Sequence, residues 1–387
     1  MVFASPIFLG YFLPLVLAGY YLLPAAGPAR NRWLLGASYV FYGWWDPRLV
    51  PALFVLTLAT FGLARWLGRE DLPEGRRRLG LAVGIGLALA VLFVGKYLGF
   101  AFDNYDRLAA ALGWAPAPAT RWALPLGISF FTFHAISTLV DVHRRDAKPM
   151  ASLVDFACYL AFFPQLIAGP ILRFGAIAPA YAERRHSWAR AASGLALFSL
   201  GLAKKVIIAN TLAPAADLAF AARELDAPTA WFGLVAYGLQ LYYDFSGYSD
   251  MATGLARLFG FEFPRNFNAP YLAESITDFW RRWHISLGGF LRDYLYIPLG
   301  GNRRSPTRTA VNLLIVMVLG GLWHGAAWTF VAWGLWHGTL LVAERWLGGR
   351  AWYEDLPRFL RVLATFVLVL LGWVFFRAES LPAAGDY

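Results

Sequence analysis

The sequence predicts an all-α, polytopic membrane protein, on three observations. Hydrophobic residues make up 59% of the 387 residues and charged residues 15%, against about 45–50% and about 25% in a soluble globular domain. The uncharged residues gather into runs long enough to cross a bilayer, and the basic residues form short clusters between them. Aromatic residues reach 17%, with 17 Trp, the composition of a chain that meets membrane–water interfaces many times. The same figures exclude disorder and collagen-like repeats. A net charge of +10 does not indicate nucleic acid here, because the cations follow the positive-inside pattern rather than one basic face. A single Cys, Cys158, excludes an intramolecular disulfide and any multi-Cys metal site.

Taken in order, residues 1–29 carry no charged side chain and no basic n-region, so they read as a retained span. Residues 33–45 and 48–64 form a shorter apolar pair around Asp46-Pro47. Runs 79–95, 122–140, 156–172, 227–243, 309–343 and 362–376 follow, and 191–216 is interrupted only by Lys204-Lys205. Nine to eleven membrane-embedded segments are expected, in one domain covering 1–387. The clusters Arg30/Arg32, Arg65 to Arg78, Arg144/Arg145/Lys148, Arg184/Arg185/Arg190 and Arg281 to Arg308 are expected on the cytoplasmic side. Residues 103–121, and the stretch holding Asp217, Arg223, Glu224 and Asp226, are expected outside. Only 156–172 lies between the third and fourth clusters, and one span cannot return to its own side. Pro164, Gly169 and Pro170 break helices, so this run is expected to be re-entrant or broken, with its backbone buried in protein. As one helix 309–343 would extend about 50 Å, beyond a ~30 Å hydrocarbon core, so two helices are expected there.

Several residues do not belong in lipid. His324 and His337 lie inside 309–343, where an ionisable side chain is a functional candidate; the competing reading is a His that satisfies a backbone carbonyl. Haem ligation would need a matching pair on another helix, and His134 with His143 is spaced differently. Asp244 and Asp250 flank Ser-Gly-Tyr-Ser, read either as a polar cavity lining or as caps of a tight turn. RNFNAPY (265–271) reads as irregular backbone. In 276–304, Thr277 or Asp278 is expected to cap a helix beginning near Phe279. Trp280, Trp283, Leu287, Phe290 and Leu291 would form its apolar face, and Arg281, Arg282 and Arg292 its cationic contacts, as in an interfacial helix.

A His buried in apolar surroundings is held neutral and can take a proton from a hydroxyl. Acyl transfer from a thioester to an alcohol requires this. There is no nucleophile elbow, HExxH or Walker loop. Pattern alone leaves an acyltransferase and a transporter both open, although a transporter should show inverted repeats and none is visible.

Several stretches resemble, in order and over essentially the whole chain, a bacterial membrane-bound O-acyltransferase (MBOAT) of the alginate O-acetyltransferase membrane-subunit branch. They are MVFASPIFLGYFLPLVLAGYYLLP (1–24), NRWLLGASYVFYGWWDP (31–47), LPLGISFFTFHAIS (124–137), FFPQLIAGPILR (162–173), YYDFSGYSDMATGLARLFGF (242–261), NFNAPYLAESITDFWRRWHISLGGFLRDYLYIPLGGNR (266–303) and GGLWHGAAWTFVAWGLWHG (320–338). YIPLGGNR (296–303) favours this branch over the teichoic-acid D-alanylation one. The resemblance implies a ring of tilted and re-entrant helices around a central tunnel in the bacterial inner membrane. It implies His324 as the catalytic His and His284 as a second functional His, with His337 structural. Arg281, Arg282 and Asp244 are the candidate substrate-binding residues, and no metal is implied. The implied donor is acetyl-CoA or an acyl-carrier thioester. The implied acceptor is an extracytoplasmic polysaccharide, reached through a partner acetyltransferase; D-alanyl or longer acyl transfer is the alternative. Relatives generally continue with further membrane segments after a match to WVFFRAES (373–380), so such segments are expected to be lacking here.

Single-cysteine labelling from the outer face, in a Cys158→Ala background, checks the topology. Position 110 should label and position 77 should not, and positions 150 and 184 should behave alike. Labelling of 150 and 184 from opposite faces would make 156–172 an ordinary span.

Overall fold

The computed structural model describes residues 1–25, 27–117, 127–222, 225–348 and 351–387. Residues 118–126, where an outer loop and the start of a membrane run were expected, and Arg223 and Glu224 lie outside the described residues. The described residues form helices and no strand. Among the described residues, five helices are long and apolar enough to cross a membrane: Pro47–Leu67, Glu74–Leu112, Trp188–Ala221, Pro306–His324 and Arg358–Arg377. The main elements are α1 (Phe8–Leu22), α2 (Ala29–Gly43), α3 (Pro47–Leu67), α4 (Glu74–Leu112), α5 (Ile128–Arg144), α6 (Leu153–Ala161), α7 (Trp188–Ala221), α8 (Ala227–Leu258), α9 (Ile276–Arg282), α10 (Ile285–Leu291), α11 (Pro306–His324), α12 (Trp328–Trp346) and α13 (Arg358–Arg377). The chain forms two compact units, Met1–Phe198 with Met251–Phe263, and Ser199–Asp250 with Pro264–Tyr387.

In the first unit, α1 is shorter than the span expected from run 1–29. It stops where Leu23 turns extended ahead of Pro24, because the residue before a proline is pushed out of the α region. Helix α4 departs from expectation in the other direction. It continues through 103–112, which was expected outside, for 39 residues in all. It ends only at Gly113, whose φ of 70° and N–H bond to the Ala109 carbonyl make a left-handed cap. Leu79, Val83 and Leu87, one turn apart, are exposed along α4, as suits a lipid-facing stripe.

The break expected in 156–172 is present. Helix α6 ends at Ala161, a single turn covers Phe163–Leu166, and 167–173 is irregular, with Ile171 and Leu172 buried. Buried backbone outside a helix needs partners for its N–H groups, and α5 supplies them. This helix is buried from Ile128 to Val142. His134, Ser137 and Asp141 follow the three-then-four spacing of one helical face. Leu172 N–H donates to His134 Nε2 (3.4 Å), Phe174 N–H to Ser137 Oγ (2.8 Å) and Gly175 N–H to Asp141 Oδ2 (2.9 Å). Phe163 N–H donates to Ser38 Oγ (3.1 Å). Gly127 lies in the left-handed region at φ 75°, where a Cβ would run into the Leu166 carbonyl, so only glycine fits.

In the second unit, α8 runs straight through Ser246-Gly247-Tyr248-Ser249, where the sequence suggested a turn. There is no turn for its aspartates to cap, and they form ion pairs with α7: Lys204 Nζ to Asp250 (2.6 Å) and Lys205 Nζ to Asp244 (2.8 Å). Gly247 permits the approach, since a Cβ there would stand 2.7 Å from the Gly201 carbonyl oxygen. The lysines open a π-helical turn, Lys204–Ala209. Run 309–343 divides at Gly325 into α11 and α12, as its length required.

If α5 satisfies the broken segment, Ser137→Ala strands the buried Phe174 N–H and costs about 1–3 kcal/mol. The thermal midpoint of the detergent-solubilised protein should fall clearly. Ser193→Ala, at an exposed hydroxyl bonded to Arg190, should leave it unchanged.

Candidate active site

The α11–α12 hairpin fixes His324 through its backbone. A Cβ at Gly334 would stand 2.5 Å from the Met317 carbonyl oxygen, one at Gly338 3.0 Å from Leu314, and one at Gly321 would run into the Phe330 carbonyl. These antiparallel helices therefore pack at glycine distance. His324 is the last residue of α11, and the extended Gly325 turns the chain away. Its half-buried ring meets Trp323 (4.9 Å between centroids), Trp333 (5.3 Å) and Phe376 (5.2 Å) edge-on.

The second histidine sits at a break that the sequence did not disclose. Instead of one interfacial helix there are two short ones, because apolar residues keep helical spacing on both sides of the break. Helix α9 starts earlier than expected and is capped by Ser275, not by Thr277 or Asp278. His284, between α9 and α10, is left-handed at φ 44°, ψ 53°. The irregular stretch 266–268 secures this conformation from both ends. Asn268 N–H donates to the Arg282 carbonyl (2.9 Å) and Ile285 N–H to the Asn266 carbonyl (2.9 Å). The Asn266 side chain completes the clasp. Its Oδ1 accepts from Ser286 N–H (3.2 Å) and Ser286 Oγ–H (2.8 Å) and lies 3.1 Å from His284 Nδ1. Its Nδ2 donates to Ser249 Oγ (3.0 Å).

His284 is 1% exposed. Its ring meets Phe245 edge-on at 4.7 Å and lies 5.9 Å from Trp323 and 6.4 Å from His324. Its Nε2 is buried with no hydrogen-bond partner among the described residues. Burial, and then the neighbouring His324, hold this imidazole well below the ordinary pKa of 6.5, so it is neutral near pH 7.

His324 also faces a cavity of about 270 Å³. Leu287, Leu291, Val316 and Met317 give it an apolar wall, and Arg281 and Arg292 are its cationic members. The two candidate arginines are thereby separated. Arg281 is exposed and lines the cavity. Arg282 is held by Asp278 at 2.9 Å and is not in the lining. Asp244 is absent from the lining as well, being paired with Lys205.

His337 lies among aromatic rings. It is fully buried, stacked on Phe279 at 6.1 Å and edge-on to Trp280 at 5.1 Å. Neither ring nitrogen bonds a backbone group or any other group among the described residues. Its contribution is the packing of an aromatic plate. Sequence reasoning also missed Glu344. This buried carboxylate accepts the Ile276 N–H (2.7 Å), the Thr277 N–H (2.9 Å) and the Thr277 hydroxyl (2.6 Å), tying α9 to α12. Its one signal was a carboxylate immediately after an uncharged run, followed directly by Arg345.

Comparison with known proteins identifies the family. Residues 127–351 match the model of the membrane-bound O-acyltransferase family, MBOAT. A probable alginate O-acetylase of Azotobacter vinelandii is 47% identical over 384 residues, covering 99% of this chain and 76% of the relative. A peptidoglycan O-acetyltransferase of Helicobacter pylori is 37% identical, covering 99% of this chain and 78% of the relative. A teichoic acid D-alanyltransferase of Bacillus subtilis is 26% identical, covering 66% of this chain and 69% of the relative. With its apolar helices and these matches, the chain belongs to the membrane-bound O-acyltransferase family and is a multi-pass membrane enzyme that transfers acyl groups.

Proposed function

We propose that the group moved is acetyl, that the donor is a thioester on a phosphopantetheine arm, and that the acetyl travels to an extracytoplasmic polysaccharide through a partner acetyltransferase. Coenzyme A and an acyl carrier protein share that donor chemistry. The enzyme would work in the bacterial inner membrane. The observation that carries the reading is His324, on the wall of an apolar cavity that also holds Arg281 and Arg292, with His284 6.4 Å away. An apolar space with cationic members suits an arm that is uncharged near its thioester and phosphorylated at its far end. The acetylating relatives, at 47% and 37% identity, support acetyl over D-alanyl, whose relative stands at 26%.

In this mechanism the acceptor hydroxyl attacks the thioester carbonyl while His324 takes the hydroxyl proton. An O–C bond forms and a tetrahedral intermediate results. Its collapse breaks the C–S bond, and the proton passes from His324 to the leaving thiolate. His284, held neutral, sets no positive charge beside the base and keeps a lone pair within the same aromatic enclosure.

A general base contributes about 10²–10⁴-fold. His324→Gln keeps hydrogen bonding without an accepting nitrogen, so glycan acetylation should fall by that factor while the protein still accumulates in the membrane. Activity near wild type in that variant would remove His324 from the chemistry.

The two arginines should separate kinetically. Arg281→Ala should raise KM for acetyl-CoA about 2- to 5-fold with kcat nearly unchanged, the scale of one exposed charge contact. Arg282→Ala should leave that KM near wild type. The opposite ranking would move the donor's charged end away from the cavity.

A further inference from the structure

We infer that Asn266 is a positioning residue that fixes His284 in its Nδ1–H tautomer, so that Nε2 is presented as a proton acceptor inside the enclosure shared with His324. The inference rests on reading these two histidines as the transfer site. The argument starts from a group that can only donate. Ser286 N–H is a backbone donor, 3.2 Å from one end of the Asn266 side-chain amide. That end is therefore the oxygen, and the amide nitrogen is left to donate to Ser249 Oγ at 3.0 Å. An amide oxygen only accepts. The His284 Nδ1 that lies 3.1 Å from it must carry a hydrogen. A neutral imidazole has one N–H, so Nε2 holds a lone pair.

Two further observations fit a role beyond packing. Nε2 is buried and has no hydrogen-bond partner among the described residues, so its lone pair is not used by any of them. His284 also occupies a left-handed conformation, which a non-glycine residue keeps only where the surroundings over-determine it. The backbone bonds to 266 and 268 do so. Around the ring, Phe245 comes from α8, Phe267 from the irregular stretch, and Trp323 and His324 from α11. Of these neighbours, with Asn266 and Ser286, only His324 titrates.

The test is ¹⁵N NMR of histidine-labelled protein in lipid nanodiscs, with the His284 signal assigned by its loss in His284→Gln. In the wild type the protonated nitrogen should be Nδ1. In Asn266→Ala the signal should move toward a mixture of tautomers, and acetyl-CoA turnover should fall about 10- to 100-fold, by analogy with removing the partner that orients a metal-bound histidine. Asn266→Asp supplies a second arm should the alanine variant not fold. A carboxylate still accepts from Nδ1–H, so the tautomer should persist. Its negative charge also stabilises imidazolium, so a higher pH is needed to keep the ring neutral. The acid limb of the pH–rate profile should therefore move upward, with activity recovered at alkaline pH. An Nε2–H signal in the wild type, or a signal and profile untouched by either variant, overturns the inference. Full activity of His324→Gln would instead defeat the transfer-site reading and leave the tautomer assignment standing.

Discussion

A helix that breaks where water cannot reach must hand its freed N–H groups to another acceptor in the protein, because an unsatisfied buried donor costs on the order of 1–3 kcal/mol. This constraint recurs through the chain. The irregular stretch after α6 is carried by His134, Ser137 and Asp141 of α5. The first turn of α9 is carried by Glu344 of α12. The break around His284 is carried by the backbone of 266–268 and the side chain of Asn266. In each case a polar residue inside an apolar protein is explained by the backbone it serves. His324 stands apart from that pattern. It is fixed by glycine packing in the α11–α12 hairpin and turned toward the cavity.

Much of this was legible in the sequence, because hydrophobic runs and helix breakers are local signals. The division of 309–343 followed from its length, and the interruption of 156–172 from Pro164 and Gly169. His324 stood out as an ionisable group in an uncharged run, whereas His284, close to Arg281 and Arg282, was marked only by the resemblance. The failures share a different cause. Asn266 and His284 are 18 residues apart, and Glu344 is 68 residues from Ile276; no local pattern announces such partners. The Ser-Gly-Tyr-Ser turn was misread because its polar residues looked like caps, while α7 supplies the lysines that pair with the aspartates beside it. The break at His284 was hidden by Trp280, Trp283, Leu287 and Phe290, whose spacing suits a continuous helix.

The separation of Arg281 from Arg282 follows the same logic. Adjacent residues on a helix point about 100° apart, so one carboxylate on the i−4 side selects between them. Asp278 takes Arg282, and Arg281 is left on the cavity wall. Identical side chains in consecutive positions thus acquire different surroundings through a single neighbour one turn away.

The ion pairs between α7 and α8 also bear on how the protein is made. Lys204 and Lys205 sit midway along a 34-residue apolar helix, where an unpaired lysine opposes membrane entry by about 2.5–3.5 kcal/mol. Helix α7 is thus poorly suited to settle in the bilayer alone while the chain emerges from the ribosome. Once Asp244 and Asp250 have been synthesised, the four charges cancel pairwise, and the two helices can partition as a hairpin. A nascent chain ending at residue 226 would present α7 without its counter-charges and should slip back from the membrane more readily than one ending at 258. The order of synthesis then becomes part of the folding code, since a helix acceptable to lipid only as half of a pair must wait for its other half.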